Sequence, residues 1–354
     1  MVNFAELANV FKGKRVFITG HTGFKGSWLT LVLSQLGAIV KGYALSPKTE
    51  RDIFHLVKSE IRLESVIADI RDREKLGQEL IAFQPDFVFH LAAQPLVSIA
   101  YKEPHETMEI NVMGTVNLFE AIRKLNKNCV TIITTTDKVY KNQHWYYPYR
   151  ETDVLGGYDP YSASKSAAEL IIESYRDSFF NLVDIEVHGK AIAVGRAGNV
   201  IGGGDYSEDR LIPDIIKSIQ DNLPIGVRNP TYVRPWQHVL DAVNGYLILA
   251  SSLHSKPQET SGAWNFGPDG TNQLTVGDVV RIALDIFGGD HVLCAKNSEF
   301  HETELLILDS SRAKNKLRWE PKWKPEKAII ETMNWYSNPS YETTLKQIFQ
   351  FYEI

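Results

Sequence analysis

The sequence predicts an α/β fold, a doubly wound parallel sheet of Rossmann-like type followed by a smaller C-terminal α+β region. Three observations carry that reading. Short runs that are apolar on both faces alternate with helix-like segments through the first half, a glycine-rich turn joins the first strand to the first helix, and the second half switches to short helices punctuated by Pro and Gly. A strand with no polar face has to be covered on both sides. Helices between parallel strands do this, whereas antiparallel hairpins commonly leave one face in water.

The first strand, Arg15 to Thr19, stops at Gly20, His21, Thr22, Gly23, Phe24, Lys25 and Gly26, and a helical pattern then runs through Trp28, Leu29, Val32 and Leu36 to Gly37. Glycines at such a turn let the backbone approach a pyrophosphate, and the N–H groups of the first helical turn attract its charge. Ala38 to Ala44 follows as the second strand. Next come Ser65 to Asp69 as a strand, Arg71 to Phe83 as a helix with Asp69 as a reasonable N-cap, and Asp86 to Ala93 as an all-apolar strand. Thr107 to Leu125 reads as a helix and Val130 to Thr134 as a strand. Ligands of such sheets bind beyond the carboxyl ends of the strands. Asp69-Ile70, Ala92-Ala93-Gln94 and Thr135-Thr136-Asp137-Lys138 sit there.

Pro160 to Phe180 reads as one long helix, with Pro160 in its first turn. Tyr161 and Lys165 are four residues apart and so share a face. A tyrosine titrates near pH 10, so using it as a base near pH 7 takes a shift of roughly 3 units, about 4 kcal/mol, and a neighbouring ammonium supplies part of that. Ile185 to Ala193 reads as a further strand. In the second half, Leu211 to Gln220, Leu240 to Leu253, Thr275 to Phe287 and Pro325 to Tyr336 read as helices, and Arg210, Arg228 and Arg234 are placed to bind phosphate oxygens bidentately.

A chain of 354 residues suggests two domains, 1–195 around the glycine turn and Tyr161, and 196–354 mainly for substrate, with chain crossing back to the first. Thirty-eight basic and 43 acidic residues give a net charge of -5, which argues against a broad surface for nucleic acid or an anionic membrane. The two cysteines, Cys129 and Cys294, are far apart and suggest neither a disulfide framework nor a metal site. With no secretion-type leader and no long apolar run, the expected compartment is the cytoplasm.

Together these motifs resemble the extended short-chain dehydrogenase/reductases acting on nucleotide sugars, and within them the dehydratases of CDP-sugars. The likeness covers nearly the whole chain, through Gly20 to Leu29, His90 to Val97, Asn111 to Thr115, Thr136 to Tyr140, Gly156 to Ser162, Arg196 to Asp205, Asp209 to Pro213, Arg234 to Val239 and Trp264 to Pro268. The resemblance implies NAD as cofactor and dehydration of CDP-glucose to CDP-4-keto-6-deoxyglucose. It implies Tyr161 as base toward the C4 hydroxyl, Thr136 as hydrogen-bond partner of that oxygen, and Lys165 holding the nicotinamide ribose while lowering the Tyr161 pKa. It also implies Lys138, with its pKa lowered by burial and by Lys165, as the C5 base and Asp137 as the acid toward the C6 hydroxyl. The cofactor positions are Gly20 to Gly26, Ser46, Asp69, Ile70, Leu91, Ala92, Ala93, Gln94, Asn111, Tyr161 and Lys165. The substrate positions are Asn199, Arg210, Leu211 and Arg234, and no metal is implied. A homodimer, or a dimer of dimers, is implied through Thr107 to Leu125 and Pro160 to Phe180, with Leu118, Ile122, Leu170, Ile171 and Tyr175 as its apolar face.

The same residues suit another nucleotide-sugar 4,6-dehydratase or a 4-epimerase, and an idle NAD-sensing protein is the reading from a different class. The chain departs from the general pattern at Ser46, where an acid would accept the adenosine ribose hydroxyls, with Lys48 and Arg51 close by. It departs again at His21, where a smaller residue is usual, and at Ser98, beside the position expected for an arginine.

Overall fold

The computed structural model describes residues 2–268, 274–288, 293–295 and 306–354. One parallel sheet of seven strands organises it: β1 (Arg15–Thr19), β2 (Ile39–Ala44), β3 (Leu63–Ile67), β4 (Phe87–His90), β5 (Cys129–Thr135), β6 (Lys190–Ala197) and β7 (Gly262–Phe266). Their spatial order is β7-β6-β5-β4-β1-β2-β3, and every pairing is parallel. β1 therefore has β2 on one side and β4 on the other, and the strand order reverses there. That reversal opens the crevice in which such sheets bind ligands. β5 and β6 are buried along their whole length, which is what an apolar run in mid-sheet requires. β7 returns from the second half of the chain to pair with β6.

Five helices position the site: α1 (Phe24–Gln35), α2 (Arg73–Phe83), α3 (Gly114–Arg123), α4 (Pro160–Ser178) and α5 (Leu211–Gln220). A sixth, α6 (Val239–Ser255), packs against β5, β6 and α1 and is buried on nearly every side. The expected helices of the second half appear at 211–220, 239–255, 276–287 and 325–337. No helix among the described residues is long and apolar enough to cross a membrane. Cys129 is a buried thiol, and the Cys294 side chain lies outside the described set.

Four expectations need correction. Asp69 does not cap the helix before Phe83; Asp72 does, accepting from Lys75 N, while Asp69 binds Arg71. The segment from Thr107 to Leu125 is not one α-helix, because a π-helical turn at Glu109–Met113 separates Pro104–Met108 from α3. The strand expected from Ile185 begins only at Lys190, after a helical turn at Ile185–His188 that ends at Gly189 with φ of 67°. Val187 in that turn faces solvent while Ile185 packs against the core, so the first residues of the expected strand lie at the surface. Finally, Leu118 and Ile122 are fully buried within the chain, while Leu170 is 57% exposed, so the supposed dimer face is only partly apolar surface.

Candidate active site

The glycine turn is built for close approach. Gly20 has φ of 78°, and a Cβ there would lie 2.6 Å from Ala92 N; a Cβ at Gly26 would lie 2.0 Å from Gly20 O. Gly23 caps α1 without a side-chain acceptor, leaving the first-turn N–H groups to an outside anion. Lys25 adds a cation in that turn, where no acid is present. A pyrophosphate fits this donor set. Thr22 Oγ1 donates to Leu45 O at 2.8 Å, and Phe24 packs against Gly202. The His21 ring is fully buried beneath the loop, edge-on to Phe54 and against Gly42, with Nε2 2.7 Å from Ser65 Oγ. Burial pushes its pKa down to about 4, so it is neutral.

Beside the ends of β2 and β3 a cavity of about 550 Å³ is lined by Ser46, Pro47, Phe54, Lys58, Ser65 and Ile67. At Asp69, just past β3, hydrogen bonds from the Arg71 guanidinium and backbone hold the carboxyl below its ordinary range. Ile70 is buried under Gly114. Leu91 N continues the ladder to Thr19 O, and Ala92 N reaches Thr19 Oγ1 at 3.3 Å. Asn111, in the π-helical turn, accepts from Gln94 N at 2.9 Å and donates to Gln94 O at 3.1 Å and Ser164 Oγ at 2.8 Å. It thereby staples the β4 extension, with Ala93 and Gln94, to the helix that carries Tyr161.

α4 starts where Asp159 accepts from Ser162 N and Oγ, with Pro160 in the first turn. Tyr161 and Lys165 are both buried on one face. Thr136, just past β5, donates to Asp137 Oδ1 at 2.8 Å, and its hydroxyl counters the rise in the Tyr161 pKa. Lys165 Nζ donates to Thr134 O at 3.4 Å. The sequence expectation that Lys165 lowers the Tyr161 pKa does not describe the balance here. Burial pushes Tyr161 up to about 12, against the Arg210 charge and the Thr136 hydroxyl. Burial likewise pushes Lys165 down to about 8, with Glu169 opposing it. Lys25 falls to about 8 through burial and the Arg210 and Lys165 charges, opposed by Asp137 and Asp205.

Asp137 is 5% exposed and lies against Gly198, but Lys138 is half-buried rather than enclosed. Its backbone N–H reaches Thr136 Oγ1 at 3.3 Å, and its ammonium makes no hydrogen bond or ion pair among the described residues. Asn199 adopts φ of 48° and its carbonyl accepts from Gln237 N. Arg210, just before Leu211 and α5, is held 3.9 Å from Asp205. Arg234 lies over the Tyr232 ring at 5.2 Å and donates to Val233 O. Thr136, Asp137, Tyr161, Lys165, Lys25 and Arg210 thus share one electrostatic neighbourhood. The sequence reading missed Glu169 and Arg196, a buried ion pair behind this cluster. Glu169 is four residues past Lys165, the same helical spacing that singled out Tyr161.

A family model described as GDP-mannose 4,6 dehydratase matches residues 17–332. The chain belongs to that dehydratase family. The chain is 46% identical over 330 residues to CDP-glucose 4,6-dehydratase of Salmonella typhimurium, covering 93% of this chain and 92% of the relative. Solved structures share the fold. UDP-glucose 4-epimerase of Thermus thermophilus in complex with NAD superposes with a TM-score of 0.78 at 22% identity, covering 92% of this chain and 99% of that one. A double mutant of the dTDP-glucose 4,6-dehydratase DesIV from Streptomyces venezuelae, with NAD and DAU bound, gives 0.76 at 24% identity, covering 92% and 97%.

Proposed function

We propose that this chain is an NAD-dependent lyase that dehydrates CDP-glucose to CDP-4-keto-6-deoxyglucose. The observation that carries the reading is the turn after β5, which sets Thr136 against Tyr161 and places Asp137 and Lys138 directly behind it, in a chain so similar to a CDP-glucose 4,6-dehydratase. The Gly20–Gly26 loop, Ser46, Asp69, Ile70, Leu91 to Gln94, Asn111 and Lys165 would hold NAD. Bound there, NAD supplies a hydride acceptor for C4 and a hydride donor for C6, without net redox change. Tyr161 removes the C4 hydroxyl proton while Thr136 holds the same oxygen. The resulting 4-keto group acidifies the C5 proton, which Lys138 in its neutral form accepts. Asp137 in its protonated form gives its proton to the departing C6 hydroxyl, which leaves as water. Lys138 then returns a proton to C5. Asn199, Arg210, Leu211 and Arg234 surround the nucleotide and its phosphates.

Residues 1–195 serve as the cofactor-binding part and 196–354 mainly as the nucleotide-sugar part, with β7 crossing back. The protein works in the cytoplasm as a homodimer, or a dimer of dimers, joined through α3 and α4, where Met113 and Leu170 are each about half exposed. Its product feeds deoxyhexoses of surface polysaccharide such as lipopolysaccharide O-antigen. Incubation with NAD and CDP-, UDP-, dTDP- or GDP-glucose tests the assignment, and 4-keto-6-deoxy product is expected from CDP-glucose. A C4 epimer formed without loss of water would overturn it in favour of an epimerase.

A further inference from the structure

Both ends of the turn that carries Thr136, Asp137 and Lys138 are tied to one buried ion pair. Glu169 lies one turn beyond Lys165 and two beyond Tyr161 on the same face of α4. Its carboxylate, 4% exposed, accepts from Thr135 Oγ1 at 2.6 Å, immediately before the turn. The Arg196 guanidinium, on β6 and also 4% exposed, grips both carboxylate oxygens through Nε at 2.9 and 3.0 Å and through Nη2. Arg196 Nη1 then donates to the hydroxyl of Tyr140 at 2.7 Å, immediately after the turn, and Tyr140 donates to Asn265 Oδ1 on β7 at 2.7 Å.

We propose that Glu169 is a positioning residue for the dehydration: it locks the helix of Tyr161 and Lys165 onto the turn of Thr136, Asp137 and Lys138, and it keeps the Lys165 ammonium charged. This rests on the function proposed above. The charged and titratable groups around Lys165 leave that second task to Glu169. Tyr161 is protonated and His90, from β4, is neutral because burial pushes its pKa down to about 3. Lys25, from α1, repels Lys165, while Asp137 acts on Lys25 and Tyr161. The Glu169 carboxylate, although shared with the Arg196 guanidinium, is the group that raises the Lys165 pKa against burial.

A buried ion pair that served only the fold would predict a stability loss and nothing more. The two roles separate in Glu169→Gln and in the double variant Glu169→Gln/Arg196→Gln, which removes both charges together and carries the test where the single variant does not fold. Competitive acetylation of cofactor-stripped protein across pH, read by mass spectrometry, reports the Lys165 midpoint directly. Stopped-flow absorbance of reduced nicotinamide on mixing holoenzyme with CDP-glucose reports the first chemical step. We expect the midpoint to fall by about one unit and cofactor reduction at about pH 9, above both midpoints, to slow about tenfold, because a one-unit shift is a tenfold change in protonation ratio and reaches the charged fraction in full only there. Glu169→Asp, which keeps the charge, should restore the midpoint. An unchanged Lys165 midpoint with a reduction rate within twofold of wild type would leave the pair a purely structural one. Wild-type protein that fails to reduce its cofactor with CDP-glucose would instead reject the proposed function, and the acetylation midpoint would still decide the role of Glu169.

Discussion

Replacing Gly198 by Ala should separate the two halves of the reaction. A Cβ at this position would lie 2.1 Å from both Cγ and Oδ2 of Asp137. The backbone cannot easily yield, because Gly198 O accepts from Gln237 Nε2 at 3.1 Å, so the carboxylate has to retreat by more than about 1 Å to reach ordinary contact. That breaks the 2.8 Å bond from Thr136 Oγ1. A hydrogen bond to the neutral acid is worth about 0.5–1.5 kcal/mol, and if the loss falls on the elimination transition state, water loss slows roughly two- to tenfold. Stopped-flow absorbance of reduced nicotinamide should show near-normal first-step kinetics with CDP-glucose, followed by slow formation of 4-keto-6-deoxy product. Normal product formation in a folded variant would mean that Asp137 is not held where an acid for the C6 hydroxyl has to be.

Lys138→Ala should still reduce bound cofactor with CDP-glucose but stall before water loss, with little C5 exchange in deuterated solvent; near-normal exchange would move the base elsewhere. Ser46→Asp should tighten NAD binding by about 0.5–1.5 kcal/mol by restoring a ribose acceptor, and unchanged affinity by calorimetry would show that the ribose is held another way. His21, with a folded pKa of about 4 against an ordinary 6.5, binds fewer protons folded than unfolded, so its contribution to stability is complete above pH 6.5 and is lost as pH falls toward 4. Unfolding free energies from urea titrations should therefore drop over that window at up to about 1.4 kcal/mol per pH unit from this group, and a folded His21→Gln variant with an unchanged slope would refute it. Leu170→Glu should yield a monomeric mass in solution if α4 forms the dimer contact, and an intact dimer would place the interface elsewhere.

What the sequence made legible follows from periodicity. The strands of the parallel sheet are apolar on both faces, and α4 carries its proline, its cap and its Tyr–Lys spacing in one contiguous stretch, so both could be read locally. The failures share a different cause. Ile185 and Val187 alternate with Glu186 as a strand would, yet the chain places them in a surface helical turn, and no local pattern distinguishes that from a strand start. Glu169 and Arg196 are 27 residues apart and meet only because β6 lies beside β5 in the sheet. Lys138 was expected to be enclosed because it follows Thr136 and Asp137, yet only the fold decides that Asp137 turns inward against Gly198 and Lys138 stays half-buried.

The electrostatics of the site point to a base that is made on binding. With the chain's own groups alone, burial holds Tyr161 at about 12 even though Arg210 and Thr136 both favour the phenolate. Reaching a working value near 7 takes about 5 units, on the order of 7 kcal/mol. Lys165 cannot supply this unaided, because burial brings its own pKa down to about 8 and it needs Glu169 to stay charged. Bound ligands would have to supply the remainder, NAD held by the glycine loop contributing the positive charge of its oxidised nicotinamide. Oxidation at C4 is then tied to a filled site, which suits a reaction whose reduced cofactor has to be retained until the same sugar takes the hydride back.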